Sequence, residues 1–304
     1  MAYGLMTYQD LARREDLLDI IGDVSPDNNP LATLLGNKTA SGTYHEWLID
    51  HISRPTSVTN SIEGATATFS DLDQPTRVGN VCAIITQTVK VSGTEQKVAV
   101  AGMGDPYNYQ KGKALKTWKN NWEYILVNGT KASGSSGVAR QMDGIDTVVS
   151  TLYTARNSGT SLSETEFNDM VKDSYTQGGA DNVFDLVLVP FALKQKISTF
   201  TAGATKYVDA TDKRLTRPVM VYESDGGVHR IMAHLDVRSA AATPGPTFLG
   251  IKEDQFKQAW LRKPVYEELA KTGDFVSGEY VGEGTLEYHT ERTSVKRTGY
   301  NQNG

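Results

Sequence analysis

The stretch from Asp105 to Gly129 (DPYNYQKGKALKTWKNNWEYILVNG) constrains the fold more than any other part of the chain. Apolar side chains return along it every three or four positions, which draws a single stripe down a helix. The stripe consists of Leu115, Trp118, Trp122, Ile125 and Leu126. Asp105 is a favourable N-cap, Pro106 suits the first helical position, and Gly129 can adopt a left-handed C-cap. A narrow aromatic stripe on a helix about 33 Å long predicts a rod packed under a sheet.

The remaining faces of this predicted helix are polar and mostly basic. They carry Lys111, Lys113, Lys116, Lys119, Asn120, Asn121 and Glu123. A row of lysines can contact phosphate groups, but a surface that faces solvent or another subunit explains the charges more simply. The helix is therefore predicted to be structural, and by itself it indicates no chemistry.

Charge and cysteine content narrow the class of protein. The chain has 304 residues, a net charge of −5 and a pI near 5.6, and its length suits one large domain or two ordinary ones. The acidic balance argues against a dedicated nucleic-acid-binding protein, which would carry a basic patch. Cys82 is the single cysteine, so an intrachain disulfide is excluded and a reducing compartment is expected.

The sequence contains neither of the apolar signals that direct a chain to a membrane. No run of about 18 apolar residues occurs, so no transmembrane helix is predicted. The first residues, MAYGLMTYQDLARRED, lack the apolar core of a signal peptide. We therefore expect a cytoplasmic product with no membrane partner.

Residues 52–83 are rich in Ser, Thr, Gly, Asp and Pro and are too polar to build a core. A strand pattern precedes them at Thr43 to Asp50, and a returning strand is predicted from Asn80 to Val91. The segment is either a flexible linker or a long two-stranded arm, and the persistent strand-forming residues favour the arm. Because an isolated hairpin is marginally stable in water, such an arm must lie on another molecule.

The rest of the chain predicts a mixture of helices and strands. Ser163 and Glu166 form a capping box before a helix that ends at Gly178-Gly179. Asp225-Gly226-Gly227 marks a β-hairpin. Further elements are predicted as a helix over Leu5 to Ile21, a strand over Val183 to Val189, a helix after Pro190 with Leu193, Ile197 and Phe200 on one face, a strand over Phe256 to Leu261, a pair of strands between Phe275 and Lys296 separated at Gly282 and Gly284, and a disordered end over Tyr300 to Gly304.

Two stretches resemble parts of known binding motifs, one for a metal ion and one for a dinucleotide. His45-Glu46 resembles the start of a zinc-binding helix, but Ile49 stands where the second histidine is needed. On a strand, His45 and Glu46 also point to opposite faces, so they cannot share an ion. Gly102-Met103-Gly104 lacks the third glycine of a dinucleotide loop and is better explained as a turn before the helix.

The remaining chemical motifs are also incomplete. Gly112-Lys113 lacks the other residues of a phosphate-binding loop, since Tyr107 and Ala114 occupy their positions. The serine-rich run from Ser133 to Gly137 lacks the glycine spacing of a nucleophile elbow. The five histidines are scattered without a local nucleophile or acid. The sequence therefore predicts no catalytic residues, no cofactor-binding residues and no metal ligands.

The order of segments resembles the major capsid proteins of tailed double-stranded DNA bacteriophages. The resemblance is to the branch of podovirus-like and related phages whose capsid proteins lack a large N-terminal scaffolding domain. No single motif is specific, but their order and spacing together are. The segments are Arg14 to Ile21, Pro30 to Leu35, Thr43 to Trp47, Glu63-Gly64, Arg77 to Asn80, Val91 to Thr94, the long helix, Leu162 to Glu164, Gly178-Gly179, Tyr222 to Gly226, Glu268 to Asp274 and Gly284 to Glu287.

This resemblance implies an α+β chain with the Hong Kong 97-type phage capsid fold. That fold has an N-terminal arm, an extended β-hairpin loop, a peripheral domain with a long spine helix, and an axial domain. The corresponding ranges are residues 1–43 for the arm, 44–92 for the extended loop, 93–140 and 255–304 for the peripheral domain, and 141–254 for the axial domain.

The resemblance also implies a structural function without catalysis. The chain would assemble with itself into hexamers and pentamers of an icosahedral head that encloses double-stranded DNA without sequence-specific binding. A scaffolding protein, a portal protein and a cementing protein are the implied partners, and the virion is the implied location, after assembly in the bacterial cytoplasm.

Three other functions stay open from the sequence. An encapsulin-like cargo shell shares the fold and self-assembly, and a co-encoded portal and terminase would distinguish a phage head from it. A tail-tube protein would be rich in strands but would not need the long helix. An enzyme of unknown chemistry is the alternative of a different class, and the lack of a complete catalytic motif in the sequence disfavours it.

Overall fold

A computed structural model describes residues 29–51, 57–58, 60–66, 74–98, 104–200, 221–237 and 246–301, apart from the side chains of residues 157–159. Three expectations therefore lie outside the described residues: the helix over Leu5 to Ile21, the turn at Gly102-Met103 and the last three residues of the disordered end. The tip of the predicted arm is described only over residues 57–58 and 60–66.

The described elements combine five α-helices and two short 3-10 helices with twelve strands. The helices are α1 (Pro30–Leu34), α2 (Pro106–Asn128), α3 (Ile145–Val148), α4 (Glu164–Gly178) and α5 (Phe191–Ile197). The strands are β1 (Gly36–Thr39), β2 (Tyr44–Ile49), β3 (Thr76–Val81), β4 (Ala83–Ser92), β5 (Leu152–Thr160), β6 (Leu186–Val189), β7 (Val221–Ser224), β8 (Gly227–Ala233), β9 (Phe248–Ile251), β10 (Phe256–Glu268), β11 (Phe275–Tyr288) and β12 (Val295–Tyr300).

Helix α2 begins where the sequence predicts and buries the predicted stripe. The Asp105 carboxylate accepts hydrogen bonds from the backbone N–H groups of Tyr107 and Asn108 at 2.9 and 3.3 Å. Trp118, Trp122 and Leu126 are buried, and Leu115 and Ile125 at the sides of the stripe are half-buried. At about 1.5 Å per residue, its 23 residues span about 35 Å.

The end of α2 differs from the prediction. Gly129 has φ −55° and ψ 146°, so the expected left-handed C-cap is wrong. The glycine serves a close approach instead, because a Cβ at this position would lie 2.5 Å from the backbone oxygen of Met142. The returning chain is held there by a bond from Gly144 N–H to the Gly129 carbonyl at 3.0 Å.

A four-stranded sheet packs its inner face on α2. Its order is β1-β10-β11-β4, with β1 parallel to β10 and the other pairs antiparallel. Three tryptophans fill the interface: the ring centroid of Trp122 lies 6.2 Å from that of Trp118 and 4.4 Å from that of Trp260. The indole N–H groups of Trp118, Trp122 and Trp260 donate to Ile85 O, Gln258 Oε1 and Asn37 Oδ1, so each of the three indole nitrogens has an acceptor.

The predicted break at Gly282 and Gly284 is wrong, because both glycines lie inside the single 14-residue strand β11. A Cβ on Gly282 would lie 2.6 Å from Trp118, and one on Gly284 would lie 2.7 Å from Trp260. The two glycines therefore make room for the tryptophans under an unbroken strand. This use of glycine cannot be distinguished from a turn by local sequence.

A six-stranded sheet forms the second layer, in the order β5-β12-β9-β6-β8-β7. One face continues the core around α2 through Leu186, Leu249 and Ile251, and the other packs on α4 and α5. Leu193, Ile197 and Phe200 are all buried, which confirms the predicted face of the helix after Pro190. Strand β12 belongs to this sheet although it follows β11 in the chain.

Helix α4 and the predicted hairpin have the expected ends. Ser163 accepts from Glu166 N–H at 3.2 Å, which confirms the N-cap. The predicted reciprocal half of the capping box is not formed, because the Glu166 carboxylate turns to Arg156 and to the hydroxyl of Tyr300. Strands β7 and β8 pair through the turn at residues 225–226, as the hairpin signal predicts.

The predicted returning strand from Asn80 to Val91 is two strands. Strand β3 pairs with β2 as an antiparallel ribbon, whereas β4 pairs with β11 in the four-stranded sheet. The change occurs at Cys82, which is fully buried. Tyr300, placed in the predicted disordered end, is instead a buried residue at the end of β12.

Candidate assembly surface

The β2–β3 ribbon exposes apolar side chains. Along β2 the described residues alternate between exposed and half-buried, and Leu48 is 67% exposed. Beyond the ribbon, Val58 and Ile62 are 76% and 84% exposed. Exposed apolar side chains along one extended segment make it a candidate surface for contact with another molecule.

The segment beyond β2 contains one defined turn. Ala65 N–H donates to the carbonyl oxygen of Ile62 at 3.0 Å, and Gly64 has φ +81°. A positive φ at the third residue of a four-residue turn needs glycine, since other side chains rarely adopt it. Glu63 therefore stands at the apex of the turn.

Charged side chains fix the base of the ribbon to the four-stranded sheet. The buried carboxylate of Glu287 on β11 lies 2.5 Å from Lys38 Nζ of β1 and 2.9 Å from His45 Nε2 of β2. His289 Nε2 lies 3.3 Å from the same carboxylate. Burial opposes ionisation of Glu287, but hydrogen bonds from Lys38 and His45 outweigh it and lower the pKa of this carboxyl.

Asn80 fixes the other strand of the ribbon and is itself 1% exposed. Its amide donates to the carbonyl oxygens of Asp143 and Leu286, and its Oδ1 accepts from Val81 N–H and Asp143 N–H. Lys131 Nζ donates to the adjacent Gly79 carbonyl at 2.5 Å. The base of the ribbon is thus held rigidly, and this sets the direction in which its exposed part points.

A second buried carboxylate joins three distant segments. Glu123 on α2 accepts from Leu31 N–H and Ala32 N–H at 2.8 Å each, and its Oε1 lies 2.8 Å from His234 Nε2. Because His234 Nδ1 accepts from Asp236 N–H, the ring proton sits on Nε2 and points to Glu123. The arm-side helix α1, the long helix and the end of β8 meet at this one side chain.

The structure gives no support to a metal or thiol site in its described ranges. No group of three or more His, Cys, Asp or Glu side chains there is placed to hold a metal ion. His45 turns to Glu287 while Glu46 lies 3.8 Å from Arg77, so the two side chains diverge as predicted. Burial raises the pKa of the Cys82 thiol to about 11, which leaves it unreactive at neutral pH.

None of the helices in the part of the chain that the structure describes combines the length and the apolarity needed to cross a bilayer.

Sequence reasoning missed the charged residues that hold this surface. It assigned Glu123 to a polar face of the helix, but the side chain is fully buried. It did not single out Glu283, and it named Glu287 only as the end of a segment that carries the resemblance. A signal was present, since Glu279, Glu283 and Glu287 stand four residues apart and therefore share one face of a strand. The donors that pair with them come from other segments and leave no local signal.

Both the family model and the curated relative that match this chain are described as major capsid proteins. A family model described as SU10 major capsid protein matches residues 3–301. The curated major capsid protein of Escherichia phage Phieco32 is 25% identical over 124 residues, which is 41% of this chain. The chain thus spans about a third of that relative's length, since the match covers 35% of it.

Solved structures show the same architecture at low sequence identity. The capsid of cyanophage A-1(L) has a TM-score of 0.66 and 14% identity, and the match covers 97% of this chain and 99% of that chain. An encapsulin complex from Synechococcus elongatus has a TM-score of 0.59 and 9% identity, with 100% and 98% covered. These likenesses confirm the predicted α+β class and the Hong Kong 97-type capsid fold.

Proposed function

The chain belongs to the SU10 major capsid protein family, and from this premise we propose that it is the repeated subunit of a phage head. Copies assemble into hexamers and pentamers of an icosahedral shell that encloses double-stranded DNA. The observation that carries the proposal is the β2–β3 ribbon together with the segment beyond it. The base of the ribbon is held to the four-stranded sheet, whereas Leu48, Val58 and Ile62 are exposed. A ribbon with a fixed base and exposed apolar side chains is suited to contact a neighbouring subunit.

The energetics of such a contact favour assembly over a stable monomer. Apolar surface contributes about 25 cal/mol for each Å² removed from water. Obligate assemblies bury about 2,000–5,000 Å² or more in each interface. An exposed ribbon repeated in every subunit can therefore convert modest individual contacts into a shell that forms steeply with concentration.

Strand pairing supports a division of the chain into the parts that the resemblance implies, with three adjusted boundaries. We assign the extended loop to residues 44–81, because β4 pairs inside the four-stranded sheet. That sheet and α2 form the peripheral domain, which takes β1 from the predicted arm because β1 pairs with β10. The six-stranded sheet with α4 and α5 forms the axial domain, and it includes β12 at residues 295–300.

The proposed partners follow from assembly of a head. A scaffolding protein guides assembly, a portal protein occupies one vertex, and a cementing protein is a further candidate. The net charge of −5 supports an inner wall that holds DNA weakly and without sequence preference, because a strongly basic wall would bind each phosphate and oppose packaging. Assembly takes place in the bacterial cytoplasm, and the finished protein is located in the virion.

The encapsulin neighbour supports one alternative, a shell that holds protein cargo. Both shells would form from the same fold by self-assembly, so particle shape does not separate them. Their contents do: nuclease-resistant DNA inside particles, with a co-encoded portal and terminase, indicates a phage head, whereas an enclosed protein indicates a cargo shell. Neither alternative gives the chain a catalytic function.

Sedimentation velocity combined with electron microscopy tests the proposal. The purified full chain, with its scaffolding protein where one is needed, should sediment as closed particles and show no sequence-specific affinity for DNA. The particle fraction should rise steeply over a narrow range of protein concentration. A compact monomer at high concentration with the scaffolding protein present would refute the shell function and favour an enzyme.

A further inference from the structure

The outer face of the four-stranded sheet, which points away from α2, carries a row of three cross-strand neighbours. Arg262 on β10 pairs with Glu283 on β11, and Glu283 pairs with Ile84 on β4. Directly paired residues of a sheet point to the same side. The adjacent Gly282 faces Trp118 on α2, so Glu283 and its two partners face outward.

Two arginines converge on the one carboxylate in this row. Arg140 Nη2 lies 2.6 Å from Glu283 Oε1, and Arg262 Nε lies 3.0 Å from Glu283 Oε2. The Glu283 side chain is 5% exposed, whereas that of Arg262 is 54% exposed. Guanidinium groups stay protonated in proteins, so two cations and one anion leave a surplus positive charge at the surface.

This surplus charge is suited to bind a second carboxylate. A guanidinium presents five N–H donors in a planar fork, and the contact to Glu283 uses the Nε side of Arg262. The surroundings are apolar: Ile84 is 46% exposed beside Glu283, and Val138, two residues before Arg140, is 59% exposed. The site therefore matches a ligand that combines a carboxylate with an aliphatic side chain.

We propose that this arginine pair, Arg140 and Arg262, binds the carboxylate of Glu63 from the extended loop of a second copy of the chain. Glu63 stands at the apex of the turn closed by Ile62 and Ala65, and Ile62 is 84% exposed next to it. Glu63 is the single charged residue between positions 57 and 66. The turn thus presents one carboxylate and one aliphatic group. The carboxylate complements the surplus positive charge of the arginine pair, and the aliphatic group complements Ile84.

The proposal rests on the proposed function, because it names the contact through which one subunit holds its neighbour. It also gives the extended loop a fixed docking position. A surface that was only apolar would let the loop slide, whereas a charge pair specifies register and orientation.

Charge reversal tests the contact in assembly. Arg262→Glu alone and Glu63→Arg alone should each raise the protein concentration needed for shells about tenfold or more, and the combined variant should restore assembly. Lys172→Glu, an exposed residue of α4, is the control with the same charge change and should assemble normally. Failure of the combined variant to assemble better than either single variant, when its unfolding temperature matches that of Arg262→Glu, would overturn the proposal.

Chemical cross-linking gives a second readout, measured at a protein concentration high enough for the cysteine variant to form shells. Shells of Glu63→Cys/Arg262→Cys, treated with a short bis-maleimide, should give a ladder of covalently joined subunits. Cys82 is fully buried and will not compete for the reagent. Glu63→Cys/Lys172→Cys is the control pair and should give monomer only.

The outcomes separate this proposal from the proposed function. Shells with a ladder support both. Shells without a ladder overturn the Glu63 contact and leave the shell function standing, and the arginine pair would then face another acidic partner or a phosphate. Absence of shells from the unaltered chain, with its scaffolding protein present, would overturn both.

Discussion

At the scale of single residues, three buried glutamates lie where separate segments of the chain meet. Glu123 joins α1 and the end of β8 to the long helix. Glu283 forms ion pairs with Arg140 and Arg262, and Glu287 contacts Lys38 and His45. A buried carboxylate is costly unless cations or N–H donors surround it. Each therefore stabilises the fold through the donors that surround it.

Acidification should weaken the contacts of Glu287 with Lys38 and His45. Its pKa is lowered in the fold, so its stabilisation is fully present above the unfolded pKa of about 4.3 and is lost as pH falls through the folded pKa. We expect the free energy of unfolding to fall less steeply below about pH 4.3 in Glu287→Gln than in the unaltered chain. Urea unfolding between pH 7 and acidic pH measures this slope.

Glu279→Gln is the control for that experiment, because Glu279 lies on the same strand and is half-buried. It should keep the slope of the unaltered chain. Equal slopes for the unaltered chain and Glu287→Gln would mean that the contacts of Lys38 and His45 do not favour the ionised carboxyl.

At the scale of elements, the long helix and the four-stranded sheet depend on each other through the tryptophan contacts. Trp122 is 2% exposed and stacks on Trp260. Trp122→Ala should therefore lower the free energy of unfolding by about 3–5 kcal/mol, the usual cost of removing a fully buried large aromatic side chain. Tyr124→Ala, two residues away and mostly exposed, is the control and should change it by much less. A thermal shift near zero for Trp122→Ala would contradict the packing.

The glycine at position 282 gives a second test of the same contact. Gly282→Ala places a Cβ 2.6 Å from Trp118 and should destabilise the chain by about 1–3 kcal/mol through overpacking. Gly112→Ala is the matched control, because a Cβ there meets nothing within 4 Å on the helix. It should stabilise the chain by about 0.5–1 kcal/mol, since alanine is the better helix former. Thermal unfolding of the two variants should therefore shift in opposite directions.

At the scale of the whole molecule, the two sheets account for the fold of the subunit and the ribbon accounts for its assembly. Deleting Ser53 to Thr76 should leave a folded, soluble protein, because Glu287 and Asn80 hold the base of the ribbon outside the deleted part. The shortened chain should form no shells. Its thermal unfolding provides the control for folding, and intact shells in negative-stain micrographs would contradict the function of the loop.

Much of the architecture follows from the sequence because its signals are local. The spacing of Trp118, Trp122 and Leu126, the cap at Asp105 and the cap at Ser163 each act within a few residues. Such signals define where a helix begins and which face is apolar, whatever the rest of the chain does. The ordered series of segments then sufficed for the resemblance, and with it for the Hong Kong 97-type fold.

Only the tertiary structure decided where the charged and glycine residues belong. Glu123 looks like a surface residue until Leu31 and His234, which are 92 and 111 positions away, bring their donors to it. Gly282 looks like a turn until Trp118 fills the space above it. In both cases the contacting group comes from a distant segment of the chain. The cost of burying the Glu123 charge depends on the donors around it, and the need for glycine at position 282 depends on the Trp118 ring beside it.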